Sequence, residues 1–210
     1  MRPFWSLVFV TLVGCGNGCR KPEPTVATAS STSASAKPSA SVAADAMDVT
    51  ARSKAVLAAL KAKDVTTLAT YVHPTKGVRF SPYGYIETEG GVVLKPAELA
   101  PAMTDAKKLT FGAYDGSGQP IELSLGEYWA EFVWDVDFTA GKLVLDPKEA
   151  HGNTVPNHRD VYPTGQAVEL FLDGNDPEHD GMDWRALRLV FEAHEGALKL
   201  VAIVHDQWTI

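Results

Sequence analysis

His205, Asp135 and Asp137 are the residues of this chain best suited to proton transfer, because imidazole titrates near neutral pH and a neighbouring carboxylate can orient it as a general acid or base. A second group, Arg79 with Tyr83 and Tyr85, sets a guanidinium beside two phenols, a combination that binds anionic or polar ligands. The third is His158, Arg159 and Tyr162, carried by a proline-containing, aperiodic segment from 146 to 165. Long segments of that kind often close over a site. Each group also has a plainer reading. His205 then ends a strand and bonds to backbone, Arg79 pairs with a carboxylate, the tyrosines are half-buried core, and 146–165 is a packed crossover.

Motifs for specific chemistry do not accompany these residues. No Ser-His-Asp order, Walker loop, GxSxG or HExxH occurs in the chain, so hydrolase, nucleotide and zinc-protease readings have nothing beneath them. The histidines at 73, 151, 158, 179, 194 and 205 lack the paired or i, i+4 spacing of a zinc site, and neither a metal nor a cofactor is expected. The oxygen-rich run with Asp173, Asn175, Asp176, Glu178, Asp180 and Asp183 lacks the sixth-position glycine and twelfth-position glutamate of an EF-hand, and reads as a solvated hairpin loop. The whole chain is at −7; Arg2, Arg20, Lys21 and Lys37 against Glu23 and Asp45 put +2 in the first 46 residues, leaving −9 on residues 47–210. Such a balance opposes nucleic-acid binding, which needs a basic stripe.

The N-terminus carries an address. Arg2, an apolar run from Phe4 to Val13, and Gly14 before Cys15 have signal-peptide anatomy, and the run is about half the roughly 20 residues needed to cross a bilayer. Leu12, Val13, Gly14 and Cys15 resemble the lipobox of bacterial lipoproteins, in which the cysteine is diacylglycerated and becomes the new N-terminus. The resemblance implies lipidation at Cys15, with fatty-acyl chains such as palmitate as the membrane contact. Gly16, not Asp, follows Cys15, which by the same resemblance favours the outer membrane where there are two. The alternatives are an ordinary secretory peptide with Cys15 paired to Cys19, or a cut before Cys19. Cys19 has Gly16 where an aliphatic residue is expected, and so short a loop gains little from a disulfide. No cysteine follows Cys19, so no disulfide or thiolate site is expected in the remainder.

Three segments result: a signal peptide at 1–14, a lipidated N-terminus and flexible Ser/Thr/Ala/Pro linker at 15–46, and one domain at 47–210. The linker has no aromatic residue and no apolar period from Arg20 to Ala46, and as a random coil it spans about 30 Å.

Within the domain, Asp48 is placed to cap a helix over 49–62, with Val49, Val56, Leu57 and Leu60 on one face. Asp64 caps a shorter helix that Pro74 stops at His73. Pro96 suits the first position of a third helix over 95–103. Leu109 to Ala113 alternate as a strand before the turn residues Asp115 to Gly118, and Ser124 with Glu127 forms a capping box for a helix over 125–134. Segments 167–173, 184–192 and 197–208, the last two joined at Glu195 and Gly196, read as an antiparallel meander. Its alternation is blurred, with Leu187, Leu189 and Phe191 opposite Trp184, Ala186 and Val190, as in a sheet covered on both faces.

The fold class is therefore α+β, with N-terminal helices packed on a curved antiparallel sheet. That order resembles the cone-shaped fold of the nuclear transport factor-like superfamily over about residues 48–210. The strings YVHPTKGVRFSPYGY at 71–85, YDGSGQPI at 114–121 and HDQWTI at 205–210 are similar to a family of uncharacterised bacterial lipoproteins with such a domain. The superfamily includes isomerase- and dehydratase-like enzymes and binding modules, so the resemblance implies either a non-catalytic envelope module for a small molecule or protein, or a small enzyme with a His/Asp base in the cone cavity.

Overall fold

The computed structural model describes residues 48–209; the expected signal peptide, Cys15, Cys19 and the linker lie outside them. Helix α1 is Val49–Lys61, and Asp48 caps it by accepting from the N–H groups of Thr50 (2.8 Å) and Ala51 (3.3 Å). Helix α2 is Val65–Tyr71, capped by Asp64 through the Thr67 N–H, and Val72 turns extended ahead of Pro74. Strands β1 (Val78–Ser81) and β2 (Val92–Leu94) follow, then α3 (Pro96–Thr104), with Glu98 reaching back to the Lys95 N–H at 2.7 Å. The helix starts expected from the Asp48 and Asp64 caps and from Pro96 are present.

Strands β3 (Leu109–Ala113) and β4 (Pro120–Leu123) make a separate hairpin, with a register shift between Thr110 and Ala113. Gly112, at φ 137°, supplies the backbone geometry this irregularity needs. The next helix departs from expectation. Ser124 and Glu127 form the capping box, yet only Leu125–Tyr128 (α4) is α-helical, and Trp129–Val133 continues as a π-helix closed by Trp134 N–H to the Trp129 carbonyl at 2.8 Å. The wider turn puts Trp129, Phe132 and Val133 all on the buried side.

After a 3-10 turn at Phe138–Ala140 come β5 (Lys142–Leu145), a one-turn helix α5 (His158–Val161), β6 (Gln166–Leu172), a 3-10 turn at Pro177–His179, β7 (Arg185–His194) and β8 (Ala197–Gln207). The meander is present as β6, β7 and β8, and Glu195 (φ 49°) and Gly196 (φ 76°) turn between the last two with the paired positive φ of a type I′ hairpin. The sheet is larger than the meander, in the order β2-β1-β8-β7-β6-β5. A parallel pairing sets β1 against β8, with Arg79 opposite Ala202 and Ser81 opposite Val204.

Both faces are covered, which accounts for the blurred alternation. One face packs Val78, Phe80, Leu187, Leu189, Phe191 and Ile203 against α1, α2, α4 and the π-turn. Trp129 is fully buried there and Trp134 packs at its margin. The other face carries Ala167, Val190, Ala202 and Val204, covered by Ile86, Val161 and Tyr162. No helix among the described residues is long and apolar enough to cross a membrane.

Candidate functional site

The three distinctive strings meet in space. Parallel pairing carries the end of β1 alongside the end of β8, so that His205 Nδ1 donates to the Pro82 carbonyl at 3.1 Å. Asp206, on the opposite face, approaches the backbone of Gly84 so closely that a Cβ there would lie 2.3 Å from its Oδ2. Tyr83 extends its hydroxyl to accept from the Asp115 N–H at 3.2 Å, tying the first string to the β3–β4 hairpin.

Between the loop after β1 and that hairpin lies an open groove of about 370 Å³. Its floor is Phe80 and Phe111, both almost fully buried, and its walls include Tyr83, Tyr85, Tyr114 and Asp115. Phe111 is held by stacking on Tyr128 at 3.8 Å between centroids. Burial raises the Tyr83 phenol, with the charges of Asp115 and Glu131 adding to the effect. Tyr114 is raised in the same way, by burial and then by its hydrogen bond to Glu131.

His205 and Asp135, one of the two pairings expected, are brought together. His205 Nε2 lies 3.4 Å from Asp135 Oδ2 without a hydrogen bond between them. Asp135 Oδ2 also accepts from Arg185 Nε at 3.0 Å. Burial alone would raise this carboxyl, and the neighbouring His205 and Arg185 outweigh it to leave the net shift downward. The pair does not open onto the groove. His205 is 0% exposed, with its ring edge-on to Phe132 and Phe138. Because a carbonyl has no hydrogen to give, Nδ1 carries the proton of the Pro82 bond, and the plainer strand-end reading describes this contact.

Asp137 is placed elsewhere. It pairs with Lys61 at 2.7 Å on the surface and caps the 3-10 turn, and these bonds hold its carboxyl down to about 2. Arg79 is on the other sheet face from Phe80, and its Nη1 donates to the carbonyls of Glu87 (2.9 Å) and Gly90 (3.0 Å), so this nitrogen serves the loop after β1. His158, Arg159 and Tyr162 do not reach the groove either. His158 is buried under the crossover, Arg159 pairs with Asp146, and the Tyr162 hydroxyl donates to the Val201 carbonyl at 3.3 Å. The 146–165 segment is packed down, with Asn157 accepting from the Ile86 N–H at 2.8 Å and donating to its carbonyl at 3.0 Å. Its contribution to the groove is Thr154. In the acidic loop, Asp183 Oδ2 accepts from the N–H groups of Asn175 and Asp176, both at 3.1 Å, and orders the turn.

Sequence reasoning missed a buried ionic cluster on the second face. Glu169 and Arg188, cross-strand partners in β6 and β7, form a fully buried ion pair, and His151 Nε2 lies 2.6 Å from Glu169. Arg188 Nε and Nη1 and both ring nitrogens of His158 have no hydrogen-bond partner among the described residues. Burial, with Arg188 and Arg159 adding to it, holds His158 down to about 4. The available signal was a charge set inside each apolar run, AVELFL and ALRLVF.

The chain matches no family model, no curated protein and no solved structure.

Proposed function

We propose that this chain is an exported lipoprotein of the cell envelope, anchored through acyl chains on Cys15, whose domain binds a small ligand in the tyrosine-walled groove and catalyses no reaction. What carries the reading is the contrast between two places: the groove is open and floored by Phe80 and Phe111, whereas the His205 imidazole is fully buried against Phe132 and Phe138 and Asp135 is not part of the groove's lining. Apolar clefts with a few convergent polar groups are the usual seats of small ligands. The anchor reading rests on the lipobox-like Leu12 to Cys15, and Gly16 favours the outer membrane where there are two. The fold is read as the cone-like α+β arrangement of the nuclear transport factor-like superfamily. Support for it comes from two helices, a hairpin and a further helix preceding a meander whose last strand returns beside β1.

The enzyme reading, an isomerase or dehydratase with a His/Asp base, draws on the 3.4 Å approach of His205 to Asp135. Thermal unfolding against a panel of small polar and charged compounds separates the two. A ligand bound only by the native state raises Tm by mass action. Tyr114→Ala abolishes that rise, while His205→Gln lowers the starting Tm and leaves the rise intact. A rise that survives Tyr114→Ala but is lost in folded His205→Gln reverses the assignment. Separately, Cys15→Ser releases the protein from the membrane fraction or leaves it unprocessed; normal processing with unchanged retention overturns the anchor.

A further inference from the structure

Tyr85 has no structural task on the groove wall. It is 50% exposed, and among the described residues no hydrogen bond or ring contact engages its side chain. Beside it, the Tyr83 hydroxyl accepts from the Asp115 N–H and keeps its own proton to give, which burial holds on the phenol. The Tyr83 ring is preset by its edge-on contact with Phe132. Across the groove, Ala113 pairs with Pro120, which has no N–H, while the Tyr114 N–H goes to the Gln119 carbonyl at 2.8 Å. Ladder alternation therefore turns the Ala113 N–H and carbonyl away from β4, onto the edge of β3 that no strand covers. Charge is the weaker feature. Glu87 is an exposed carboxylate on the wall, Asp115 is engaged within the protein, and among the described residues no lysine or arginine lines the groove. Arg79 Nη1 comes within 3.5 Å of where a Cβ would stand on Gly91, but it is spent on the Glu87 and Gly90 carbonyls.

We infer that the groove binds a neutral saccharide, with a sugar ring laid on Tyr85 and its hydroxyls shared among the Tyr83 phenol, the Ala113 backbone and the Glu87 carboxylate. The inference rests on the groove being the binding site proposed above. A pyranose presents an apolar C–H face together with a rim of hydroxyls, each able to give and to accept a hydrogen bond. The groove matches both requirements: an idle aromatic ring for the face, and for the rim a phenolic donor, a carboxylate acceptor and a backbone edge that offers one of each. One exposed carboxylate without a free cation selects poorly by charge, which favours an uncharged ligand. A Cβ on Gly112 would lie 3.6 Å from the Pro82 ring, so the missing side chain keeps the passage between loop and hairpin clear, and the open groove leaves room for neighbouring sugars of a chain.

The test titrates the full processed chain, in a sugar-free detergent, with maltotriose, cellotriose and diacetylchitobiose, following backbone amide resonances. Cyclohexanol is the control for ring burial without the hydroxyl rim, and choline and propionate are the charged controls. The expected result is saturable movement of the Tyr83, Tyr85 and Ala113 amides by at least one saccharide, bound at least about fivefold more tightly than cyclohexanol and unaffected as salt is raised. Tyr85→Ala, an exposed substitution, weakens that saccharide about three- to tenfold, and Tyr85→Phe, which keeps the ring, restores most of the loss. Cyclohexanol, choline or propionate binding at these amides as tightly as every saccharide overturns the inference and leaves the groove as the binding site, as does saccharide binding there that Tyr85→Ala does not weaken. Saccharide binding that moves other amides and spares these three overturns both, as does binding of none of the six probes.

Discussion

Asparagine in place of Asp206 separates two buried titrations that oppose one another. Asp206 is 1% exposed, and burial pushes its carboxyl up to about 6 against the pull of Arg188 and His205. In an unfolded chain an aspartate titrates near about 3.9. The folded protein therefore holds this proton more tightly, so the stability Asp206 contributes is fully present below about pH 3.9 and is lost as pH rises through about 6. His158 runs the other way. Its folded value of about 4 lies below the unfolded value of about 6.5, so its contribution is present above that unfolded value and lost as pH falls through the folded one. In the wild type the two slopes largely cancel across this window. The Asp206→Asn substitution keeps the side-chain shape and removes one titration, which exposes the other. From the folded and unfolded values, the wild type gains about 2 kcal/mol on the Asp206→Asn variant between about pH 7.5 and about pH 4.5. For a domain of this size that is a change of about 4–8 °C in the Tm gap. Any hydrogen bond to Gly84 or Gln207 that asparagine handles less well shifts both ends equally and drops out of the comparison. Thermal unfolding followed by circular dichroism at intervals over this range measures the gap directly. A gap constant with pH refutes the reasoning, as does a carbon-13 titration that puts the Asp206 carboxyl at about the unfolded value of 3.9.

The other predictions concern the packing around these groups. Arg188→Met alone leaves Glu169 buried without its guanidinium and costs about 3–5 kcal/mol by urea unfolding, whereas the double variant with Glu169→Leu recovers most of that loss. A Cβ at Gly84 would lie 2.3 Å from Asp206 Oδ2, so Gly84→Ala lowers stability by about 1–3 kcal/mol, and adding Asp206→Ala relieves the clash. Equal losses in the two backgrounds disprove that contact. Trp129→Ala, which empties the centre of the helix-side core, costs about 3–5 kcal/mol and leaves a chain whose urea midpoint is visibly lowered; a loss under about 1 kcal/mol contradicts the packing described.

Helix starts were legible because a cap is a local event. Asp48, Asp64 and Ser124 each bond to N–H groups two or three residues ahead, whatever the rest of the chain does. The β7–β8 hairpin was legible for the same reason, through Glu195 and Gly196. Strands β1, β2 and β5 were not, since runs of three or four residues carry too little alternation to register and take their stability from neighbours remote in sequence. The α-helix expected over 125–134 gave way after Tyr128 because burying Trp129, Phe132 and Val133 together favours the wider π-turn. At the candidate site, His205 and Asp135 were named from residue type alone, but the burial of His205 against Phe132 and Phe138 was not legible. Tyr114, Asp115 and Glu87 entered only with the groove, although Tyr114 and Asp115 open a string already singled out as distinctive.

From the sequence alone came the capped helices, the meander and its turn, the net negative charge and the cysteine-free stretch after Cys19, because each depends on residue identity or on contacts a few positions apart. Tertiary structure decided which candidates share a site. The parallel pairing of β1 with β8 spans most of the domain, and it puts Pro82 on His205 and Gly84 on Asp206. No period or spacing encodes that pairing, since it arises only when both faces of the sheet are buried at once.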